Sequence, residues 1–545
     1  MTPAKSPDRM PHPARRPARR PGRRLARRLS AAMLRALPLL ALALLPGTAA
    51  TAAEQRLEAV PCPFEVPFGE SAQCGYLVAP QDHARPDGET VRVFFAILRA
   101  HAATAAPDPI VQLAGGPGQA MSDFVDGSWY STLADRAHRD VILFDQRGTG
   151  RSEPLLDCAG IDPDAFDANP ANDSGVASDA DKLRAALAAC RQGYEDRGID
   201  LHYFDTEQSA LDLKLLREGL RIQAWNLVGT SYGTRLALEA ARLDPDGIRS
   251  LVLNSTMTMG DAFEPQIFDD RIRILDRLFA DCAANGDCAA AFPTLAESFE
   301  ALRERLSETP LQVSVVEPEG GEVIEFEMDF PTFVGILMTH LSFQPSVEMV
   351  PLFIDSIDAV TAGRRTLTDA QWARILGPSL FQGGGMAVGL HLSVLCREVL
   401  PIADLAAVDR RAGDSRGMFS PRDKALYAEQ CEVWGAGEAR ESFSEPVASD
   451  IPTLLLIGEY DPLTPPYWTA MAAQHLSNSR AIAFPGAAHD VLGTSLCART
   501  IVTAFLRDIA AELDTACVEG QTPRFFVPPS KAAAATGAGA GDGQQ

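Results

Sequence analysis

No two cysteines in this 545-residue sequence are spaced as CxxC, so neither a zinc ribbon nor a dithiol redox motif is supported. No metal-ligating motif and no internal repeat are present, which implies neither metal nor cofactor, and chelators are expected to leave activity unchanged. No apolar run reaches the ~20 residues that a membrane-spanning helix needs. Positive charge is scarce beyond the start. Residues 1–53 carry 11 Lys and Arg against one acid, a local charge of +10, whereas the remaining 492 residues carry 38 bases against 71 acids, a net of −33. So acidic a body repels phosphate backbones and anionic membrane surfaces, and nucleic acid is not an expected partner. A hydrophobic content of 46% with 22% charged residues excludes a wholly disordered or collagen-like chain.

What is present begins with an address. Arginine pairs at 15–16, 19–20, 23–24 and 27–28 precede an apolar stretch from Leu34 to Leu45, and small residues follow from Gly47 to Ala53. That is the charged, apolar and small-residue order of a secretory signal peptide, with cleavage after Ala52 or Ala53. Met10 and Met33 are alternative starts. No cysteine stands at the cleavage site, which argues against a lipoprotein. Ten cysteines follow, an even number that suits disulfides in an oxidising compartment, and pairing in sequence order gives five short loops. The protein is expected to be secreted or periplasmic, without a stable membrane anchor.

Short apolar runs then alternate with helical segments: 91–98, 110–113, 141–144, 226–228, 248–253, 453–457 and 481–484. Continuous apolar strands separated by helices predict a mostly parallel sheet with helices on both faces, an α/β architecture. Functional loops should then lie beyond the carboxyl ends of the strands. Between 255 and 450 few strand-like runs occur, and 271–280, 295–306 and 354–361 have helical periodicity. The expected division is a signal peptide (1–53), a first core part (54–254), a mostly helical cap insertion (255–450), a second core part (451–529) and a small-residue disordered tail (530–545).

The chemistry concentrates on three residues. Gly229-Thr230-Ser231-Tyr232-Gly233 is a GxSxG sequence that follows an apolar strand and opens an apolar helix, the setting in which a serine is presented on a sharp turn. A second GxSxG at 413–417 lacks both flanks and is expected to be a solvated loop. A serine hydroxyl needs a base, and in this architecture an acid and then a histidine follow it in the chain. His489 directly follows the last strand, whereas His475 falls in an expected helix and His340 and His391 fall in the insertion. Asp461 follows the preceding strand, with Glu459 as the alternative acid. The second requirement is an oxyanion hole: Tyr232 supplies one amide, and Gly116, in Gly115-Gly116-Pro117-Gly118, is expected to supply the other.

These segments, together with Asp145 to Ser152 (DQRGTGRS) and Gly458 to Pro465 (GEYDPLTP), resemble the prolyl-aminopeptidase and tripeptidyl-aminopeptidase branch of the serine α/β-hydrolases. The resemblance runs from about Cys74 to Cys517 and departs from the family pattern at Gln119 and in Gly486-Ala487-Ala488-His489. It implies the α/β-hydrolase fold and a secreted exopeptidase acting on peptide N-termini through Ser231, Asp461 and His489. Residues 145–152 are then expected to brace the loop beside the active site. An aminopeptidase must also bind the substrate ammonium, and Glu398, Glu264 and Asp269 are the candidate carboxylates, by location alone. A carboxylesterase or amide hydrolase with the same three residues is the alternative, because fold and triad do not distinguish acyl substrates.

Overall fold

The computed structural model describes residues 56–531, apart from 67, 126–134, 137, 160–176, 259–265, 317–320, 322, 381–384, 416, 420–421 and 530. The chain divides into residues 1–49 and 50–545, and every described residue belongs to the second unit. The expected signal segment and, Lys531 excepted, the expected tail lie outside the described residues.

Eleven strands are found among the described residues: β1 (Leu57–Val60), β2 (Ala72–Pro80), β3 (Thr90–Leu98), β4 (Ile110–Leu113), β5 (Val141–Phe144), β6 (Trp225–Thr230), β7 (Ile248–Asn254), β8 (Leu311–Val316), β9 (Val323–Met328), β10 (Thr453–Gly458) and β11 (Ser479–Phe484). Nine of them form one sheet in the order β1-β2-β3-β5-β4-β6-β7-β10-β11. The β1-β2, β2-β3 and β3-β5 pairs are antiparallel. All pairs from β5 to β11 are parallel. Every residue of β4 and β5 is buried, which is why their sequences, IVQL and VILF, are apolar but for Gln112.

Alternate strand residues feed two cores, as the pleat requires. Leu227, Leu251 and Leu455 pack with the helices α1 (Thr206–Gly219) and α2 (Tyr232–Leu243) through Leu213, Leu216, Leu236 and Ala240. Val228, Val252, Leu454 and Leu456 face the other way, onto Ile501, Val502 and Phe505 of a later helix, Leu496–Arg507. The chain runs from β4 to β5 on one side and returns to β6 on the other. This reversal opens a crevice at the carboxyl ends of β4 and β6, the usual location of a site in an open α/β sheet.

The insertion is mostly helical and is divided: residues 274–380 build a core of their own, whereas Val388, Leu390, Leu392, Cys396, Trp434 and Phe443 pack into the core of the sheet. Its helices include Gln266–Ala284, Leu295–Glu308, α3 (Phe330–Ser342) and Val350–Thr361, longer at their ends than periodicity suggests. Phe299, Phe330, Phe333 and Phe353 meet at its centre, with Phe333 and Phe353 stacked at 5.2 Å between ring centroids. Each such ring contributes roughly 2–3 kcal/mol by leaving water. The insertion also holds an antiparallel pair, β8 with β9, where the sequence suggested few strands. Val313, Val315, Phe326 and Met328 are buried while Gln312, Ser314, Glu325 and Glu327 are exposed, so the pair is a one-sided ribbon with a period of two.

Five disulfides close loops in sequence order: Cys62–Cys74, Cys158–Cys190, Cys282–Cys288, Cys396–Cys431 and Cys497–Cys517. Beyond the last one the chain leaves the sheet and crosses to the insertion. Phe525 and Val527 pack against the insertion's core, the Phe526 N–H donates to the Glu348 carbonyl at 2.8 Å, and Lys531 Nζ donates to Asp355 at 2.6 Å. The terminal part of 451–529 thus packs with the cap rather than with the sheet.

Candidate active site

Ser231 stands between β6 and α2 with φ 57° and ψ −126°, a region that a residue with a side chain occupies only when its surroundings impose it, at about 1–3 kcal/mol. The flanking glycines explain how the turn is made. A methyl group built on Gly229 would lie 2.3 Å from the Gly233 carbonyl oxygen, and one on Gly233 would lie 2.3 Å from that of Leu113. Any larger residue at either place would push the turn off the sheet. The Ser231 N–H donates to the Asn254 carbonyl at 3.0 Å, and its carbonyl accepts the Thr234 hydroxyl at 2.6 Å.

His489 and Asp461 are brought together from the ends of β11 and β10. His489 Nδ1 lies 2.8 Å from Asp461 Oδ2, and both side chains are buried. Asp461 also accepts the N–H groups of Leu463 and Thr464, each at 2.9 Å, and the Thr464 hydroxyl at 2.7 Å. Burial by itself would raise the Asp461 pKa, but the facing imidazole and these hydrogen bonds outweigh it and hold the carboxyl below its ordinary value. Burial likewise works against an imidazolium at His489. The Asp461 charge overcomes it, so the His489 pKa lies above the ordinary 6.5. Thr464 was not legible from the sequence; its signal is the D-x-x-T spacing, in which a hydroxyl can return to a carboxylate three residues earlier. Glu459, the alternative acid, instead pairs with Arg277 at 3.0 Å.

The Gly115–Gly118 loop touches the elbow, since a methyl group on Gly115 would lie 3.1 Å from Ser231 Cβ. Among the described residues no backbone carbonyl accepts the Gly116 N–H. Asp145 braces this loop: it accepts the Ser122 N–H at 2.8 Å, the Ser122 hydroxyl at 2.6 Å and the Arg151 N–H at 3.0 Å. Full burial, only partly offset by these bonds, raises the Asp145 pKa to about 6. The cap closes on the loop from above. The Ala387 N–H donates to the Gly118 carbonyl at 2.9 Å, and His391 Nδ1 donates to the Pro117 carbonyl at 3.1 Å. The cap also reaches the histidine, for the His489 N–H donates to the carbonyl of Ser342, at the end of α3.

Tertiary context places the other residues singled out in the sequence. Glu398 does not present an open carboxylate to a substrate amine. It is 2% exposed, and its two oxygens accept the Thr206 N–H at 2.6 Å and the Thr206 hydroxyl at 2.7 Å. Asp269 is tied to Arg411, and Glu264 lies outside the described residues. His340 is buried in the cap, bonded to the Ile375 carbonyl, and desolvation lowers its pKa to about 4. His475 is exposed just beyond the helix Pro466–Ala473. The second GxSxG is not a solvated loop throughout: Gly413 and Asp414 end a helix, and Ser415 caps it, buried. No strand enters it.

A mostly parallel sheet, a serine on a strained strand-to-helix turn and a buried His–Asp pair beyond the ends of β10 and β11 define the α/β-hydrolase fold. Residues 108–312 match the family described as alpha/beta hydrolase fold, and residues 419–517 match TAP-like protein. The chain is similar to the serine protease Hip1 of Mycobacterium tuberculosis, 27% identical over 482 residues covering 83% of this chain and 89% of that protein. It is similar to a tripeptidyl aminopeptidase of Streptomyces lividans, 30% identical over 220 residues covering 38% and 40% of the two chains. A solved proline iminopeptidase from Mycobacterium smegmatis aligns over 80% of this chain and 100% of its own, at 17% identity and a TM-score of 0.33. The chain belongs to the serine α/β-hydrolases, in the branch with a TAP-like C-terminal region, and is a serine hydrolase.

Among the described residues no helix is long and apolar enough to cross a membrane.

Proposed function

We propose that this chain is a secreted serine aminopeptidase, of the proline iminopeptidase or tripeptidyl aminopeptidase type, that hydrolyses peptides from the N-terminus through an acyl-enzyme. The observation that carries the reading is the buried His489–Asp461 pair just beyond the ends of β11 and β10, later in the chain than the Ser231 elbow. His489 Nε2 takes the Ser231 hydroxyl proton as the oxygen attacks the substrate carbonyl, while Asp461 holds the Nδ1–H and stabilises the imidazolium. The Gly116 and Tyr232 amides donate to the oxyanion, each contributing roughly 3 kcal/mol to the transition state. The imidazolium then protonates the leaving amine. Water, deprotonated by His489, releases the acyl group and restores the serine. Peptide substrates are supported by the similarity to Hip1 and to the tripeptidyl aminopeptidase, and export is supported by five disulfides.

For the substrate ammonium, Asp123 stands in place of Glu398 and Asp269, whose carboxylates are taken by Thr206 and Arg411. It is exposed on the short 3-10 helix Met121–Phe124 that follows the Gly115–Gly118 loop, its Oδ2 faces Gly385 of the insertion, and Arg151 is the cation that acts on it without a close ion pair among the described residues. The test is digestion of a defined tetrapeptide beside its N-acetylated form and short-chain nitrophenyl esters. Release of one or three N-terminal residues, blocked by acetylation and by Ser231→Ala, supports the proposal. Ester turnover without peptide cleavage would identify a carboxylesterase instead.

A further inference from the structure

The residue that follows the nucleophile is anchored by a buried hydrogen-bond chain that ends in the part of the insertion packed against the sheet's core. Gln146 Nε2 donates to Ser209 Oγ at 2.9 Å and to the Tyr232 hydroxyl at 2.9 Å. The Tyr232 and Thr206 hydroxyls are 2.7 Å apart, and Thr206 Oγ1 lies 2.7 Å from Glu398 Oε2. All of these groups are buried. The proton positions follow from counting donors. The Ser209 hydroxyl gives its proton to the Asp205 carbonyl at 2.7 Å, so the Gln146 atom facing it is a donor. That same NH₂ then donates to the Tyr232 oxygen, and the tyrosine proton must go to Thr206. The threonine proton goes on to Glu398, an acceptor when ionised. The chain therefore runs one way, from Gln146 through Tyr232 and Thr206 to a carboxylate, and successive bonds of one sense strengthen each other.

The terminal carboxylate belongs to a different part of the chain from the rest. Glu398 lies in the insertion, in the turn Leu395–Val399 that the Cys396–Cys431 disulfide ties to a neighbouring helix. Its other oxygen caps the first turn of α1 through the Thr206 N–H at 2.6 Å. Arg235 of α2 lies 3.5 Å from Oε2, and the adjacent Arg397 donates to Asp205 at 2.9 Å. Without these bonds the Tyr232 hydroxyl would be a buried polar group lacking an acceptor, and its ring would be free to settle elsewhere. The backbone amide of the same residue would move with the ring.

We infer that Glu398 is a positioning residue: through Thr206 it holds the Tyr232 side chain, and thereby sets the Tyr232 amide at the oxyanion position, so that the seating of the 387–399 segment on the sheet's core and transition-state stabilisation are linked. This rests on the proposed role of the Tyr232 amide.

The test uses the full chain at about pH 8, with Tyr232→Phe, Thr206→Val, Glu398→Gln and Thr206→Ser. A fluorophosphonate probe counts competent Ser231 sites, and kcat per labelled site and KM are measured on a peptide nitroanilide beside thermal melts. Tyr232→Phe and Thr206→Val should lower kcat per labelled site roughly tenfold or more, with KM within about twofold, since an interaction made only in the transition state is lost. Glu398→Gln should follow them, and Thr206→Ser, which keeps the hydroxyl, should retain the parent kcat. A merely structural role would lower the melting temperature and the labelled fraction but leave kcat per labelled site unchanged, and that result overturns the inference. Failure of the parent chain to label at Ser231 would instead overturn the catalytic reading beneath it.

Discussion

Asn254 Nδ2 donates to Asp490 Oδ1 at 2.6 Å, and the backbone carbonyl of the same asparagine accepts the Ser231 N–H at 3.0 Å. Asn254 Oδ1 accepts the Leu492 N–H at 3.2 Å. One residue at the end of β7 thus ties the nucleophile turn to the loop that carries His489. Asn254→Ala should lower kcat/KM by about 10–100-fold through misplacement of the two loops. It should also cost about 1–3 kcal/mol of stability, because buried partners lose a hydrogen bond. Steady-state kinetics and denaturant melts read the two effects separately, and unchanged kinetics would dismiss the link.

The acid limb of kcat/KM should have its midpoint above pH 6.5. The base must be neutral, and the Asp461 carboxylate outweighs burial in raising the His489 pKa. Asp461→Asn should reduce kcat by about 10⁴, since an amide that donates to Nδ1 leaves the proton on Nε2, the wrong tautomer for a base, and the countercharge is lost. For stability the signs are opposite. The contribution from His489 is present at low pH and is lost as pH rises through its folded-state pKa. That from Asp461 is present at neutral pH and is lost as pH falls through its depressed pKa. A pH–rate profile with its midpoint at or below 6.5 would contradict the first expectation.

Glu398 makes a separate prediction about stability. Burial, partly offset by Arg235 and with Asp205 adding to it, raises its pKa to about 7; the Tyr232 hydroxyl also faces it. The folded state therefore holds a proton that the unfolded chain releases. The stabilisation is complete below the ordinary value of 4.5 and is lost as pH rises through about 7. Glu398→Gln lacks this dependence. Its stability relative to the parent should rise by roughly 3 kcal/mol between about pH 4 and about pH 8. Parallel melts across that range provide the measurement, and a constant difference would refute it.

The Cys396–Cys431 bridge spans 35 residues and holds the turn that bears Glu398. Replacing both cysteines by serine should cost roughly 3–4 kcal/mol from the freed loop. It should also lower kcat per labelled site in the same direction as Thr206→Val. A loss of stability with an unaltered kcat would show that the turn is held without the bridge.

Phe333 stacks on Phe353 at 5.2 Å and is fully buried in the cap core. Phe333→Ala should destabilise the protein by about 3–5 kcal/mol, because the cavity it leaves cannot close completely. Chemical denaturation monitored by fluorescence checks this value.

The inner parallel strands were legible because they are short, mostly apolar and buried on both faces, as in IVQL and VILF. β8 and β9 were harder to read, since only Val313, Val315, Phe326 and Met328 are fully buried and polar residues interrupt each strand. The elbow was legible from Gly229 and Gly233, where close backbone contact leaves no room for a side chain. Glu398 was misleading. In the sequence it is an acid in an insertion, and only folding places it against Thr206, 192 positions away.

Local chemistry along the chain determined the α/β alternation, the turn at Ser231 and the succession of serine, aspartate and histidine at strand ends, because each depends on neighbours a few residues away. Tertiary structure alone decided that Asn254 joins two loops, that Thr464 steadies Asp461, that the last described residues return to the cap, and that Glu398 is buried beneath Tyr232. Those contacts bring together groups far apart in sequence, and a buried polar group takes whichever partner the packed interior leaves within reach.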